Sequence, residues 1–279
     1  MKLREFFDEK GFKEVQKVVF PVKKVQLSEI LADPSITALS GISHAVVVNN
    51  NHVVNFCSED YFLRENYLII EEIAEILCNE GFKFEFKAQR FKSSRFKMDF
   101  IIKEFTRDLG SPRVGDPVSI SITVHNSYDG SMGFRVSISM FRLICSNGMV
   151  APTELMNIKK VHTGQMLDFL DISSAEITQG ITYAAQLLDE SVQYYYDLMD
   201  FKVRNLDFLI DHVIEETKFP TSLAEMVKER ILYEVGLGFE LSHWTVYNGF
   251  NYAINHGSQS LVGRKGNILD TAVLDFLLT

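Results

Sequence analysis

The clearest pattern in the chain is alternation. Phe82, Phe84 and Phe86 alternate with Lys83, Glu85 and Lys87, the period of two that sends successive side chains to opposite faces of a strand. Lys92-Ser93-Ser94 is placed to turn the chain into a second strand, Arg95 to Phe105. Val118, Ile120, Ile122 and Val124 then point one way, and Ser119, Ser121, Thr123 and His125 the other. A turn-rich segment, Asn126 to Met132, leads to a return strand that sets Val136, Ile138 and Met140 against Arg135, Ser137 and Ser139. If the apolar faces pair, register forces the polar sets together as well. One sheet face is therefore expected to carry Ser119, Ser121, Thr123, His125, Arg135, Ser137 and Ser139. Such a face is most often the solvated side of an antiparallel sheet. Small hydroxyls without long charged chains also suit a face laid against a ligand, a polymer backbone or a helix. The expectation is that this face stays open.

The flanks read differently. Ala45 to Val48 and His52 to Phe56 are β-branched runs around Asn49-Asn50-Asn51, a hairpin signal because Asn tolerates positive φ. Glu65 to Asn79 reads as a helix with Leu68, Ile69, Ile73, Ile76 and Leu77 on its apolar stripe and Gly81 to stop it. Asp108 to Pro117 is a loop between strands. After Cys145-Ser146-Asn147-Gly148 the chain is expected to turn helical, over Ser174 to about Met199, Asn205 to Glu216, Pro220 to about Tyr233, Ser242 to Asn255 and Asn267 to Leu278. The fold class is α+β, an antiparallel β-meander packed with long C-terminal helices. Residues 1–165 form a strand-rich α+β part and residues 166–279 a helical part, in one continuous domain.

Composition narrows the function classes. The 279 residues are 46% hydrophobic and 23% charged, an ordinary globular balance. No apolar run approaches the roughly 20 residues that cross a bilayer, and Met1 to Asp8 is too charged for a signal peptide. Cys57, Cys78 and Cys145 are odd in number and widely spaced, so neither a disulfide framework nor a Cys-x-x-Cys zinc site is supported. A cytoplasmic location is expected. The net charge of −9 disfavours coating DNA by bulk charge. Yet the charge is uneven. Lys83 to Asp108 holds Lys83, Lys87, Arg90, Lys92, Arg95, Lys97, Lys103 and Arg107 against Glu85, Asp99, Glu104 and Asp108, while Met166 to Glu240 is strongly acidic. Lys83, Lys87, Arg90, Lys92, Arg95, Lys97 and Arg135 are the candidate nucleic-acid contacts.

Other polar groups carry two readings each. His125-Asn126-Ser127-Tyr128-Asp129-Gly130-Ser131 has the residues to hold a metal, a phosphate or a base, but Asn, Ser, Asp and Gly are also what a hairpin turn requires, and the turn is favoured. Arg142 lies on the apolar face of Val136, Ile138 and Met140, where a buried guanidinium needs either a carboxylate or a phosphate. Ser146-Asn147-Gly148 reads as an ordinary turn or as backbone N–H groups lining an anion site, and the turn is favoured. On a helix, Trp244, Asn248, Asn251 and Asn255 share one face, as a ligand row or as a packing seam. His125, His162, His243 and His256 are too scattered for a metal centre, and no cofactor is implied.

In order along the chain, these segments resemble the phage/plasmid-like protein family catalogued as domain of unknown function 932. Ser58-Glu59-Asp60-Tyr61 with Asn66 looks like its "S-x-x-Y" step. His125 to Ser131 resembles its "S-H-D-G-S" loop, with Tyr128 for His. Arg142 to Asn147 looks like its "R-x-x-C-x-N" strand end, and His162-Thr163 like its "H-T" pair. Trp244 to His256 resembles its late "W-x-x-x-N-A-x-T" helix, with Gly249 and Asn251 replacing the small residue and the Thr. The resemblance spans roughly residues 40 to 279. It implies a mobile-element origin and no defined chemistry, with a polar cluster of His125, Asn126, Ser127, Asp129, Ser131, Arg142, Asn147, His162, Trp244 and Asn248.

Three functions follow as expectations. The first is non-catalytic binding of single-stranded DNA by a homo-oligomer, since the basic, Phe-rich meander supplies charge and stacking rings. The element order is also similar to that of phage single-strand annealing proteins. The second is an enzyme acting on a nucleotide or nucleic acid, with His125, Asp129, Arg142, Asn147 and His162 converging. The third is a structural or host-takeover protein acting through protein contacts.

Overall fold

The computed structural model describes residues 2–31, 41–49, 52–91, 94–110, 115–142, 147–149, 156–160, 174–257, 261 and 264–279. Lys92, Cys145 and His162 lie outside these residues. The chain divides into two compact units that interleave along the sequence. Unit 1 comprises residues 1–102, 122–137 and 156–179; unit 2 comprises 103–121, 138–155 and 180–279.

Unit 1 opens with α1 (Glu9–Val18), whose N-cap Asp8 accepts a hydrogen bond from the Gly11 N–H at 2.7 Å. A three-stranded antiparallel sheet follows, β1 (Val22–Gln26), β2 (His44–Val48) and β3 (His52–Cys57), in that order. The Asn-rich segment joins β2 to β3 as expected, and Asn49 takes φ 50°. α2 (Asn66–Asn79) ends where Gly81, at φ 81°, lets the Phe82 N–H reach the Leu77 carbonyl. Its buried stripe is Ile69, Ile70, Ile73, Ala74 and Leu77. Leu68, expected on that stripe, is exposed, because the face is turned toward Ile70 and Ala74 instead.

The second sheet has six strands: β4 (Phe84–Phe91), β5 (Arg95–Asp108), β6 (Pro117–Ser127), β7 (Phe134–Arg142), β8 (Asn147–Met149) and β9 (Met156–Lys160). The order is β4-β5-β6-β7-β8, with β9 also pairing β7. The strands β8 and β9 correct the expectation that the chain turns helical directly after residue 148. Both are too short to show a period in the sequence. β4 is an edge strand, and its Ala88 N–H donates to Glu14 of α1 at 3.2 Å, which satisfies a donor that an edge otherwise leaves open. Phe7 packs edge-on against Phe84 and Phe86, and Phe86 against Phe100. Phe86 is thus core, and Phe84 is half-buried beside it.

In unit 2, the loop after β5 is tied by Asp108, whose Oδ1 accepts from the backbone N–H groups of Gly110 (3.0 Å) and Asp116 (2.7 Å). The helices are α3 (Ser174–Asp200), which begins in unit 1, then α4 (Leu206–Thr217), α5 (Ala224–Gly236), α6 (His243–His256) and α7 (Arg264–Leu278). They fall where the sequence places them. α6 is the central one, buried over most of its length and packed on α5 and α7. Antiparallel sheets and C-terminal helices make the chain α+β. Among the described residues, no helix is long and apolar enough to cross a membrane.

Candidate functional site

The cationic residues of unit 1 are gathered by strand register. β4 and β5 pair so that Gln89 faces Lys97 and Lys87 faces Asp99. Thr123 Oγ1 donates to Asp99 Oδ1 at 2.7 Å, and Ser137 Oγ to the Thr123 carbonyl at 3.5 Å. Antiparallel counting from these bonds sets Gln89, Lys97, His125 and Arg135 in one cross-strand row. Lys87, Asp99, Thr123 and Ser137 form the next. With period two, Lys83, Lys87, Arg95, Lys97 and Arg135 share one sheet face, where the acids on β4 and β5 in this unit are Glu85 and Asp99. Glu85 pairs with Lys10 of α1 at 3.0 Å.

The expectation of an open hydroxyl-rich face is overturned. Ser119 and Ser121 are 0% exposed, and Thr123 is buried. The hydroxyls bond within the sheet: Thr106 Oγ1 to Ser119 Oγ at 3.3 Å, and Ser121 to Ser139 at 3.4 Å. Short hydroxyl side chains that find such partners lose little on burial. The charges divide by depth. Lys97 and Arg135 are 8% and 7% exposed. Lys87 and Arg95 are half-buried and Lys83 is exposed. Arg95 Nε donates to Ser131 Oγ at 2.6 Å. Arg90, on the opposite face, is exposed and lies over the Phe20 ring at 4.3 Å. Arg107, counted in the basic stretch, pairs with Asp189 of α3 at 2.8 Å in unit 2.

His125 sits between the two buried cations. The residue keeps some exposure, but Nδ1 is buried and has no hydrogen-bond partner among the described residues. Burial first, then Lys97 and Arg135, push its pKa down to about 3. The unfolded chain takes up this proton near the ordinary value of about 6.5 and the folded chain does not, so stability is full above that pH and falls as pH drops toward 3. The His125→Asn variant is expected to flatten the acid limb of a urea-midpoint series from pH 7.5 to pH 4.5. The wild-type slope assigned to this residue approaches about 1.4 kcal/mol per pH unit. Equal slopes in both proteins rule the assignment out.

The loop after His125 is a turn held by its own side chains. Asn126 Nδ2 donates to the Arg64 carbonyl (2.9 Å) and to Asn66 Oδ1 (2.8 Å). The Asn66 N–H donates to Tyr128 Oη (2.8 Å), and Asn66 Nδ2 to the Val18 carbonyl (2.9 Å). Ser127 Oγ donates to the Met132 carbonyl at 2.7 Å. Asp129 accepts from the Ser131 N–H at 3.0 Å and from the Ser131 hydroxyl. Gly130 takes φ 69°. Thus Ser127, Asp129 and Ser131 brace the loop on itself, and Asn126 and Tyr128 hold it onto the start of α2, the turn reading of this segment.

In unit 2, Arg142 is satisfied by carboxylates. Nε and Nη2 make a fork with Asp116 at 2.6 and 2.8 Å, and Nη1 reaches Glu234 of α5 at 2.8 Å. Trp244 Nε1 donates to Asp116 Oδ2 at 2.7 Å, and the guanidinium lies 5.1 Å from the Phe239 ring centroid. Arg142, Asp116 and Glu234 are all fully buried. Asn147 pairs with Arg142 in backbone register on β8. On α6, Asn248 Nδ2 donates to the Trp244 carbonyl (2.7 Å), and Asn251 Nδ2 to Asp270 Oδ1 (2.8 Å). Tyr247 Oη donates to Asp270 Oδ2 at 3.0 Å. The row Trp244, Asn248, Asn251 is thus buried, with Asn251 tied to α7, while the Asn248 Oδ1 is buried with no hydrogen-bond partner among the described residues.

Sequence reasoning missed Asp116, Glu234 and Asp270. Asp116 is a loop residue with no pattern around it. Glu234 did leave a signal: with Val227 and Ile231 it recurs at helical spacing on an apolar face, where a carboxylate announces a buried partner.

Of the residues that carry the family resemblance, Asn66, Asn126 and Tyr128 thus meet in a buried hub in unit 1, and Arg142 and Trp244 meet at Asp116 in a buried hub in unit 2. Comparison with curated proteins and with solved structures gives no match. A family model does match, over residues 53–260, a span that includes both hubs, and the chain belongs to the family described as domain of unknown function DUF932.

Proposed function

We propose that the chain binds single-stranded nucleic acid without catalysing a reaction on it, as a protein of mobile-element DNA metabolism. The observation that carries this reading is the set of Lys83, Lys87 and Arg95, which keep exposure on one sheet face of an otherwise acidic protein. A phosphate backbone is recognised by charge spaced along a surface. Lys83 and Lys87 belong to the edge strand and its approach, so an extended strand of nucleic acid runs along β4 rather than across the sheet centre. Phe84, Phe86 and Phe100 pack on one another, so binding in this reading is chiefly electrostatic and tolerant of sequence.

The test is fluorescence anisotropy with labelled oligo-dT. Affinity is expected to fall steeply with salt. The paired substitution Lys83→Ala and Lys87→Ala is expected to lower the log–log salt slope by about 1.4, at about 0.7 per contact on a single strand. No binding at micromolar protein, or binding indifferent to salt, overturns the reading.

A further inference from the structure

A cavity of about 230 Å³ opens on the surface of unit 2, where the last turn of α3 meets the segment that leads into α6. The rings of Tyr196, Phe239 and Trp244 line it, and Asp200, Lys202 and Glu240 stand exposed at its rim. The volume is below the roughly 300–1,000 Å³ of sites for drug-sized ligands, so an occupant is small. Charge then selects its sign. Among the described lining residues the rim holds two carboxylates against one ammonium. That ammonium is engaged: Lys202 Nζ is bonded to Glu240 and donates to the Met199 carbonyl at 2.8 Å. Asp200 therefore leaves the rim net negative. The 27-residue α3 also ends here, and the negative end of a helix dipole favours a cation. The start of α6 favours an anion, but it is capped from within the chain. The Ser242 N–H donates to Thr245 Oγ1 at 3.0 Å, and the His243 N–H to the Phe201 carbonyl at 2.9 Å.

The rings select the same sign, because an aromatic face attracts a cation within roughly 6 Å of its centre. The buried Arg142 guanidinium already lies 5.1 and 5.3 Å from the Phe239 and Trp244 centroids, so these two rings serve one cation in the fold itself. Tyr196 is 41% exposed, and of the three rings it is the one a ligand reaches most fully. We propose that this cavity binds a small organic cation, an alkylammonium head on a short apolar tail. The tail packs against Met199 and the buried rings, and the head meets Asp200 and the Tyr196 ring. The same rim turns anions away, so the site is separate from the strand-binding reading and does not need it. A free amine and the lysine side chain of another protein both carry this chemistry.

The experiment uses the single tryptophan of the chain, Trp244, as the reporter. The full chain is titrated with n-butylammonium chloride at constant ionic strength, and with n-butanol and sodium butyrate as neutral and anionic counterparts of similar size. A saturable change in tryptophan emission is expected with butylammonium. Butanol is expected to bind about 5-fold more weakly or worse, and butyrate not at all. Asp200→Asn and Tyr196→Leu are each expected to weaken the midpoint by about 3-fold or more. Asp211→Asn on α4 makes the same charge change outside the cavity and leaves the midpoint unchanged. No saturable change, butanol or butyrate equal to butylammonium, or undiminished binding in both cavity variants overturns the proposal. Should either variant fail to fold by circular dichroism, the comparison of butylammonium with butanol on the wild-type chain decides, since it needs no substitution. A capped Ala-Lys-Ala peptide separates the sources. Binding as tight as that of butylammonium assigns the site to a lysine of a partner protein, and binding of butylammonium alone assigns it to a free amine. Failure of oligo-dT binding with butylammonium binding intact removes only the strand reading and leaves this site standing.

Discussion

Arg142→Met is expected to lower the unfolding free energy by about 3–5 kcal/mol, the cost of leaving buried carboxylates without their cation. Two groups are stranded at once. Asp116 loses both arms of the guanidinium fork and keeps the Trp244 indole N–H, and Glu234 loses Arg142 and keeps Arg230 Nε at 3.0 Å. Methionine fills much of the volume, so the loss is electrostatic rather than a cavity. The control follows from the same physics. Replacing Arg142, Asp116 and Glu234 together by apolar residues of similar size removes the stranded charges, and is expected to recover most of the loss. Urea denaturation followed by circular dichroism checks both, with the free energies compared at pH 7.5. A single variant within about 1 kcal/mol of wild type shows that the hub is not a stability element, and shifts attention to a role for Arg142 in binding.

Gly249→Val is expected to destabilise unit 2 by about 2–3 kcal/mol, through overpacking between α5 and α6. A Cβ built at Gly249 meets Ile231 Cγ1 at 2.6 Å and the Val227 carbonyl oxygen at 2.9 Å. The side chain is movable but the carbonyl is part of α5, so the helices must separate. Gly249→Ala is a closer contest. Alanine gains up to about 1 kcal/mol of helix propensity over glycine, while the clash costs about 1–3 kcal/mol. Alanine is thus expected to be mildly destabilising and valine clearly so, with a graded loss in thermal midpoint. A stabilised alanine variant shows that α5 yields at Val227 and that the close approach is incidental.

The sheet illustrates what could be read in advance. The hydroxyl set from Ser119 to Ser139 lies on one face, as period and pairing require, and Ser121 meets Ser139 across the strands. The prediction that this face stays open failed because period assigns residues to faces and says nothing of what covers a face. Likewise, the spacing of Trp244, Asn248 and Asn251 placed them together on α6, but left a ligand row and a packing seam equally possible. Asp270, supplied by α7, decided for the seam at Asn251. Arg142 was legible as a buried cation in need of an anion. Its partners lie 26 and 92 positions away, separations over which no local pattern carries information.

By itself, then, the sequence determined the alternating strands, the five C-terminal helices, the concentration of basic residues between positions 83 and 97, and the turn chemistry of residues 125–131. Each of these depends on neighbours a few positions apart, where backbone geometry is periodic. Only the tertiary structure decided which charges are buried. Lys97 and Arg135 are covered while Lys83 is not, Arg142 meets carboxylates rather than a phosphate, and His125 is held neutral between two cations. Burial and electrostatic partnership are set by segments distant in the chain, and the energy of a charge depends on that surrounding far more than on its place in the sequence.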